Sequence, residues 1–232
     1  MPFKPSEVQV VTVWCPRPDH PKFRDYLKLL TLQKRTVEHF GHSHIVMTDE
    51  PILEGFKSAY FEASKSLMHA ILEGQIAYVT RVWSGDVTLV LVDVDCLVMS
   101  DLRPAFAPAW EIGLTRRINE ASPIQNGAMY FAPGSRKAAI RLLTGALSRC
   151  KDHWGGDQEA ISQTVAPVPN KSQIAFRCGV SLNFLDCEQY NFSPKGTITI
   201  PKGRKFIAHF KGDTKKFAYD YAHAWIFKGV QR

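Results

Sequence analysis

Two aspartates separated by one residue follow the most apolar segment of the chain. Asp93 and Asp95 come directly after the run T-L-V-L-V, and side chains two apart on a strand project to the same side. Paired carboxylates at this spacing can hold a divalent cation through oxygen ligands. A solvent-facing pair at a strand end is the ordinary alternative, but an unpaired charge is costly beside so apolar a strand. The placement therefore favours a metal site.

A second motif, I-A-H-F-K-G-D-T-K at 207–215, lies far downstream. His209 offers an imidazole ligand, Gly212 lets backbone approach a ligand closely, and Lys215 can neutralise phosphate oxygens. Taken alone, His209 fits a packed or surface histidine better than a metal ligand. The motif gains meaning only if the fold brings it to the two aspartates.

Two further segments combine glycine with a polar side chain. Q-N-G-A-M-Y-F at 125–131 predicts an Asn126-Gly127 turn that leads into an apolar strand. W-G-G-D-Q-E-A-I at 154–161 predicts a glycine turn, with Asp157 as the N-cap of a helix. Each is an ordinary structural signal when it stands alone.

The formal net charge of +7 is concentrated at one end of the sequence. From Lys195 to Arg232, nine lysines and arginines are opposed by two aspartates, whereas the residues before Lys195 balance. A solvated basic face is one interpretation. The other is an anion site, either for the phosphates of a small ligand or for a polyanion such as nucleic acid.

Length and composition predict one globular domain over residues 1–232. Hydrophobic residues make up 45% of the 232 residues and charged residues 22%, and no repeat or linker divides the sequence. No apolar stretch approaches the roughly 20 residues that span a bilayer, and the N-terminus lacks the apolar region of a secretory signal. The odd number of scattered cysteines, five in all, favours reduced thiols and a cytoplasmic location.

The pattern of apolar residues predicts an α/β fold with a mostly parallel, mixed central sheet and helices on both faces. Functional residues are then expected just beyond the carboxyl ends of the strands. The predicted strands are Glu7–Cys15, His44–Thr48, Val87–Met99, Glu111–Thr115, Ala128–Ala132 and Thr197–Ile200. The predicted helices are Lys22–Phe40, Ser64–Val82, Ser135–Arg149 and Asp157–Val165.

Taken together and in this order, the four motifs resemble glycosyltransferases of the GT-A fold, most closely the glycogenin-like retaining enzymes of glycosyltransferase family 8. The D-x-D motif is matched by Asp93-Val94-Asp95, the N-G segment by Asn126-Gly127, and G-G-D-Q by Gly155–Gln158. The H-F-x-G-x-x-K signature is matched from His209 to Lys215. The resemblance covers most of the chain, and four ordered motifs are more specific than any one of them.

The resemblance implies a metal-dependent transfer of a sugar from a nucleoside-diphosphate donor, a UDP-sugar by analogy, with retention of anomeric configuration. It assigns Asp93, Asp95 and His209 to Mn²⁺ or Mg²⁺, and it assigns Asp157, Asp95 and Lys215 to catalysis. Residues implied to bind the donor are Asp93, Asn126, Gly127, Gln158, Gly212, Lys215 and, as the basic residue on the helix before the D-x-D strand, Arg81. The family's K-P-W is Lys215-Lys216-Phe217 here, which leaves the donor sugar open.

Two other functions remain open at this stage. A nucleotidyltransferase also handles phosphates and metals, but it usually carries a glycine-rich basic loop after the first strand, where this chain has W-C-P-R-P-D-H. A nucleotide-sugar-binding relative without turnover would keep the fold, although intact Asp93, Asp95, His209 and Lys215 argue against it. The acceptor and the oligomeric state are not indicated by the sequence.

Overall fold

An eight-stranded sheet forms the centre of the fold. The computed structural model describes residues 7–17, 23–106, 110–117, 122–196 and 202–228. The strands in these residues are β1 (Val8–Trp14), β2 (Ser43–Thr48), β3 (Ser58–Tyr60), β4 (Thr88–Val92), β5 (Cys96–Val98), β6 (Ile112–Arg116), β7 (Ile124–Phe131), β8 (Gln173–Arg177), β9 (Val180–Asp186) and β10 (Ile207–His209). The large sheet has the order β3-β2-β1-β4-β7-β6-β9-β8, and β5 and β10 form a small second sheet.

Parallel pairing dominates the first half of the large sheet. β1 pairs in parallel with β2 and β4, and β2 pairs in parallel with β3. β7 is antiparallel to both of its neighbours, β6 is parallel to β9, and β8 closes the edge antiparallel to β9. The predicted mostly parallel, mixed sheet is confirmed.

Helices cover both faces of the sheet, as predicted. They are α1 (Phe23–His39), α2 (Leu67–Ala77), α3 (Arg136–Leu147), α4 (Gly156–Thr164), α5 (Cys187–Tyr190) and α6 (Ala218–Trp225), and a π-helical turn, Tyr78–Val82, continues α2. Alternation along β4 divides the core, since successive strand side chains point to opposite faces. Leu89 and Leu91 pack with α2, α3 and α4, while Val90 and Val92 lie on the opposite face, where Val37 of α1 packs.

The predicted strand Val87–Met99 is wrong as a single element. The chain leaves the large sheet after β4, makes a tight turn in which the Cys96 amide donates to the Asp93 carbonyl at 3.0 Å, and enters β5 of the small sheet. Asp93 and Asp95 therefore lie in this turn and not on a strand. The break has a physical reason, because a continuous buried strand would hold both carboxylates inside an apolar layer.

Other expectations are corrected in detail. Asn126 and Gly127 lie inside β7 and not in a turn, since this strand begins at Ile124, earlier than predicted. The predicted strand Thr197–Ile200 falls outside the described residues. β3, β8, β9, β10, α5 and α6 were not predicted. Within the part of the chain that the structure describes, no helix is both long and apolar enough to cross a bilayer.

Close packing of α2 on β1 depends on a helical glycine. A Cβ at Gly74 would lie 2.7 Å from Val13 Cγ1 and 2.9 Å from Phe61 Cζ. We expect Gly74→Ala to lower the free energy of unfolding by about 1–3 kcal/mol, because overpacking outweighs the helix preference of alanine, about 1 kcal/mol. Urea denaturation measures the change.

The matched control is Gly145→Ala in α3. A Cβ there would lie 3.3 Å from Thr164 Cγ2, near the end of α4, where a small shift can relieve the contact. This variant is expected to be neutral or slightly stabilising. Equal stability of the two variants would contradict the tight α2–β1 contact.

Candidate active site

A cavity of about 290 Å³ opens beyond the carboxyl ends of β1 and β4, the position expected for an α/β sheet. The apolar part of its lining comes from α2, with Leu67, Met68 and Ile71, and from the ends of β1 and β4, with Val13, Trp14 and Val92. The charged and polar part of the lining comes from four separated segments. Its residues are Asp93, Asp95, Asn126, Asp157, Gln158, His209, Lys211 and Lys215. The fold thus brings the four predicted motifs to one place.

Strand pairing in the small sheet places the histidine next to the aspartates. β5 and β10 run antiparallel with His209 opposite Cys96, so the ring lies beside the turn that precedes β5. His209 Nε2 is 3.2 Å from Asp95 Oδ1 and 3.7 Å from Asp93 Oδ2. Lys215 Nζ lies 2.8 Å from Asp95 Oδ2. Asp95 is therefore held between two nitrogen groups from the C-terminal segment.

The pKa values of the two carboxyl groups are shifted in opposite directions. Burial raises the pKa of Asp93, and the neighbouring Asp95 and Asp157 add to this, although His209 opposes it. Burial would also raise the pKa of Asp95, but His209 and Lys215 outweigh it and the pKa falls below its usual range. Burial disfavours the Lys215 ammonium, but contact with Asp95 outweighs it, so the pKa of Lys215 rises. Asp95 and Lys215 are thus an ion pair at neutral pH.

The residues around the turn fit a hard divalent cation. Two carboxylates and an imidazole supply oxygen and nitrogen donors, the set expected for Mn²⁺ or Mg²⁺ rather than for a soft metal. The Cys96 Sγ also lies within 4.8 Å of donor atoms of Asp95 and His209. Burial raises the pKa of Cys96 well above its ordinary value, so the sulfur is a protonated thiol, and it donates to the Gly127 carbonyl at 3.1 Å.

Two residues of β7, Gln125 and Gly127, lie against the imidazole ring of His209. Gln125 Nε2 lies 3.1 Å from His209 Nδ1, which leaves Nε2 facing the aspartates. A Cβ at Gly127 would lie 2.2 Å from His209 Cε1, so only glycine admits the ring here. Gly127 does not line the cavity, because the imidazole covers it. This glycine makes room for a candidate metal ligand, and donor binding by Gly127 stays a prediction.

The start of α4 contributes a buried carboxylate. Gly155, with a φ of +83°, is the N-cap, and Asp157 is the second helical residue. The predicted N-cap role of Asp157 is therefore wrong, although its carboxylate accepts hydrogen bonds from the backbone amides of Asp157 and Gln158 in the first turn of the helix. Asn126 Nδ2 donates to Asp157 Oδ2 at 2.6 Å. Burial raises the pKa of Asp157, and these hydrogen bonds only partly oppose the rise.

Two lysines and a glycine line the mouth of the cavity. Gly212, with a φ of +52°, begins a 3₁₀-helical segment, Gly212–Phe217, which turns Lys215 back toward the cavity. Lys211 precedes this segment and also faces the cavity. Burial lowers the pKa of Lys211, and Arg117 lowers it further, against the smaller opposing effect of Asp93. The positions suit an anionic ligand.

Arg81 does not belong to the cavity. It is exposed in the π-helical turn that precedes β4, whereas Asp93 follows β4. Because β1 and β4 are parallel, the connecting helix must return the chain to the amino end of the sheet before β4 begins. Arg81 therefore lies at the amino end of the sheet, away from the other predicted site residues, and its role in donor binding stays a prediction.

Gln75 of α2 is a site residue that the sequence analysis missed. It lines the cavity one helical turn beyond Ile71 and is 4% exposed. Among the described residues, no group donates a hydrogen bond to its Oε1. The signal in the sequence was a polar residue on the apolar stripe of a helix. A buried acceptor without a partner is costly, so a ligand that donates a hydrogen bond here would relieve that cost.

No protein-family model and no curated protein sequence matches the chain. Among solved structures, the fold is similar to one described as the crystal structure of a glycosyltransferase involved in the glycosylation of the major capsid of PBCV-1. The TM-score is 0.56, with 10% sequence identity over 92% of this chain and 98% of that chain. The likeness shows a GT-A-like α/β fold. It does not single out glycosyltransferase family 8.

The same substitution at two buried glutamines is expected to have opposite effects. Gln75→Met removes a buried carboxamide oxygen that has no partner among the described residues, and we expect it to raise the free energy of unfolding by about 1–3 kcal/mol. Gln33→Met is the control, because the Gln33 carboxamide donates to the carbonyls of Asp93 and Cys96 and its loss should destabilise. Urea denaturation measures both. A loss of stability in Gln75→Met would contradict an unpartnered oxygen.

Proposed function

We propose that the protein is a metal-dependent glycosyltransferase that moves a sugar from a nucleoside-diphosphate donor, a UDP-sugar, to an acceptor. The proposal rests on the proximity of three side chains at the end of β4: His209 Nε2 is 3.2 Å from Asp95 Oδ1 and 3.7 Å from Asp93 Oδ2. The GT-A-like fold supports glycosyl transfer as the reaction class. The motif order shared with family 8 supports a retaining outcome.

Asp93, Asp95 and His209 would hold Mn²⁺ or Mg²⁺. When bound, the cation supplies a Lewis acid that neutralises charge on the diphosphate. Binding requires Lys215 to share or release Asp95, to which it is now paired at 2.8 Å. Lys215 is then available to the phosphate oxygens, and Lys211 faces the same volume. The excess of lysine at this end of the sequence thus has a local use.

Breakage of the bond between sugar and diphosphate leaves negative charge on the departing phosphate. Lysine nitrogens fixed before the reaction stabilise that charge without reorganisation of solvent. Gly212 is a residue at which backbone can approach the phosphates closely, since no side chain stands in the way. The chain's own contribution to departure is therefore a preorganised positive surface around the diphosphate.

Asp157, Asn126 and Gln158 would contact the transferred sugar. Asp157 lines the same cavity as Lys211 and Lys215, with one oxygen bound to Asn126. Its other oxygen can accept from a sugar hydroxyl or face the positive charge that develops at the anomeric carbon. Gln75 of α2 adds an acceptor to the cavity lining and is a candidate for selectivity among donor sugars.

The acceptor is proposed on charge alone. Lys202 and Arg204 are exposed, and an anionic acceptor, such as modified DNA or a phosphorylated glycan, would meet this basic segment. Lys205 is engaged locally, since it donates to the Glu188 carbonyl.

Two expectations from the sequence stay predictions: a single domain over residues 1–232, and a cytoplasmic location.

Metal dependence is tested by donor turnover. The chain is incubated with Mn²⁺ and a panel of UDP-, GDP- and dTDP-sugars, and hydrolysis or transfer is read by product mass, with and without EDTA. We expect Asp95→Ala to lower turnover by about a hundredfold or more, because it removes charge stabilisation at the diphosphate, and EDTA to abolish turnover of the wild type.

Asp213→Asn is the matched control, since Asp213 is an exposed carboxylate in the neighbouring 3₁₀-helical segment. It should turn over donor at the wild-type rate. Native turnover in Asp95→Ala would contradict the metal site. Pyrophosphate release from a nucleoside triphosphate would instead favour a nucleotidyltransferase, and donor binding without turnover would favour a binding protein.

Asp157 is expected to act on the sugar rather than on the nucleotide. Asp157→Asn should lower kcat by about a hundredfold while the Kd for the nucleoside diphosphate stays nearly unchanged, because an interaction made only in the transition state affects the rate alone. Single-turnover kinetics and calorimetry measure the two quantities. Glu159→Gln, on the same helix and paired with Lys151, is the control. Equal losses in rate and nucleotide binding would assign Asp157 a structural role.

A further inference from the structure

Gln33 is a fully buried polar residue that none of the motifs includes. It lies in the middle of α1, with no exposed surface. The turn that carries Asp93 and Asp95 passes directly against it. Polar residues in such positions need partners for every hydrogen-bonding group, or burial is costly.

The carboxamide of Gln33 binds both ends of the metal-site turn. Its Nε2 donates to the Asp93 carbonyl at 2.7 Å and to the Cys96 carbonyl at 2.8 Å. These carbonyls flank Val94 and Asp95, so the two bonds hold the backbone from which both aspartate side chains project. The Cys96 amide closes the same turn onto the Asp93 carbonyl. The turn thus has one internal bond and two bonds to α1, and its backbone is also bonded to the Gly127 carbonyl through the Asp93 amide and to the Phe210 amide through the Asp95 carbonyl.

The oxygen of the same carboxamide is anchored to the large sheet. Thr12 Oγ1 of β1 donates to Gln33 Oε1 at 2.5 Å, and His44 Nε2 of β2 lies 3.1 Å from it. Both lone pairs and both N–H groups are therefore used, the full capacity of an amide. These partners determine the orientation of the Gln33 carboxamide. The carbonyls of Asp93 and Cys96 can only accept hydrogen bonds and so must face its NH₂ group, whereas the Thr12 hydroxyl donates to its oxygen. Glutamate could not make the same set of bonds.

We infer that Gln33 is a positioning residue for the metal site: it ties the Asp93–Cys96 turn to β1 and β2, so that the carboxylates of Asp93 and Asp95 face His209. The inference rests on the proposed function, since it assigns Gln33 a role in metal binding. Gln33 itself touches neither the cation nor the donor. It acts through the backbone of the turn, as partners of metal ligands do in other sites.

The test is the affinity of the full chain for Mn²⁺ alone, measured by calorimetry or by the loss of the free-ion EPR signal. Gln33→Glu keeps the size and the acceptor toward Thr12 but replaces the NH₂ with an oxygen that repels both carbonyls. We expect Mn²⁺ binding to weaken about 10- to 100-fold. Gln33→Met, which keeps the packing and loses all four bonds, should weaken binding in the same way.

Thr36→Val is the matched control. Thr36 lies on the same helix, is equally buried, and accepts a hydrogen bond from the amide of Val98 in β5. It therefore ties α1 to the same segment, but beyond the turn. We expect Thr36→Val to lower the melting temperature without a change in Mn²⁺ affinity, which separates positioning of the turn from general attachment of the helix.

Each outcome decides the inference. Wild-type Mn²⁺ affinity in a folded Gln33→Glu or Gln33→Met variant overturns it, and so does an equal loss of affinity in Thr36→Val. Failure of both Gln33 variants to fold shows a role in folding and also overturns it. If the wild type binds no Mn²⁺, the proposed metal site itself fails, a result distinct from the others, and the role of Gln33 falls with it.

Discussion

Charge balance at the end of β4 is the constraint on which the rest of the site depends. A strand of five buried residues, of which four are apolar, T-L-V-L-V, leads directly to two carboxylates, and burial without compensation would keep them protonated. His209 and Lys215 hold Asp95 ionised. Both come from the far end of the sequence, so the C-terminal segment must fold back onto the middle of the chain before the site exists.

The small sheet is the consequence of that requirement. β10 can reach the aspartates only by pairing with β5, and β5 is available only because the chain leaves the large sheet at Asp93. The turn, the second sheet and the histidine are thus one structural unit. Its supports lie on the neighbouring elements: Gln33 on α1 holds the backbone, and Gly127 on β7 leaves space for the ring.

Local sequence patterns predicted those helices and strands whose formation depends on local interactions. Helical spacing gave α1, α2, α3 and α4 close to their observed bounds, and apolar runs gave β1, β2 and the start of β4. The edge strand β8 has mostly exposed side chains, so no hydrophobic alternation marked it. Asn126-Gly127 is a strong turn signal, but tertiary pairing placed it within β7. Helical periodicity did not indicate that Arg81 lies at the amino end of the sheet, away from the other predicted site residues, whereas the parallel connection between β1 and β4 does.

The site residues were predictable by type, but their supports were not. The side-chain types and the spacing of the aspartates, His209 and Lys215 indicate their chemistry from the sequence alone. Nothing in the sequence distinguishes Gln33 and Gln75 from other helical glutamines, because their roles depend on their surroundings in the fold. The two differ in one respect: every group of the Gln33 amide has a partner, and the Gln75 oxygen has none among the described residues. A saturated buried amide fixes structure, while an unsaturated one beside a cavity favours a ligand. That contrast supports the proposed binding surface with an observation that does not depend on any resemblance between sequences.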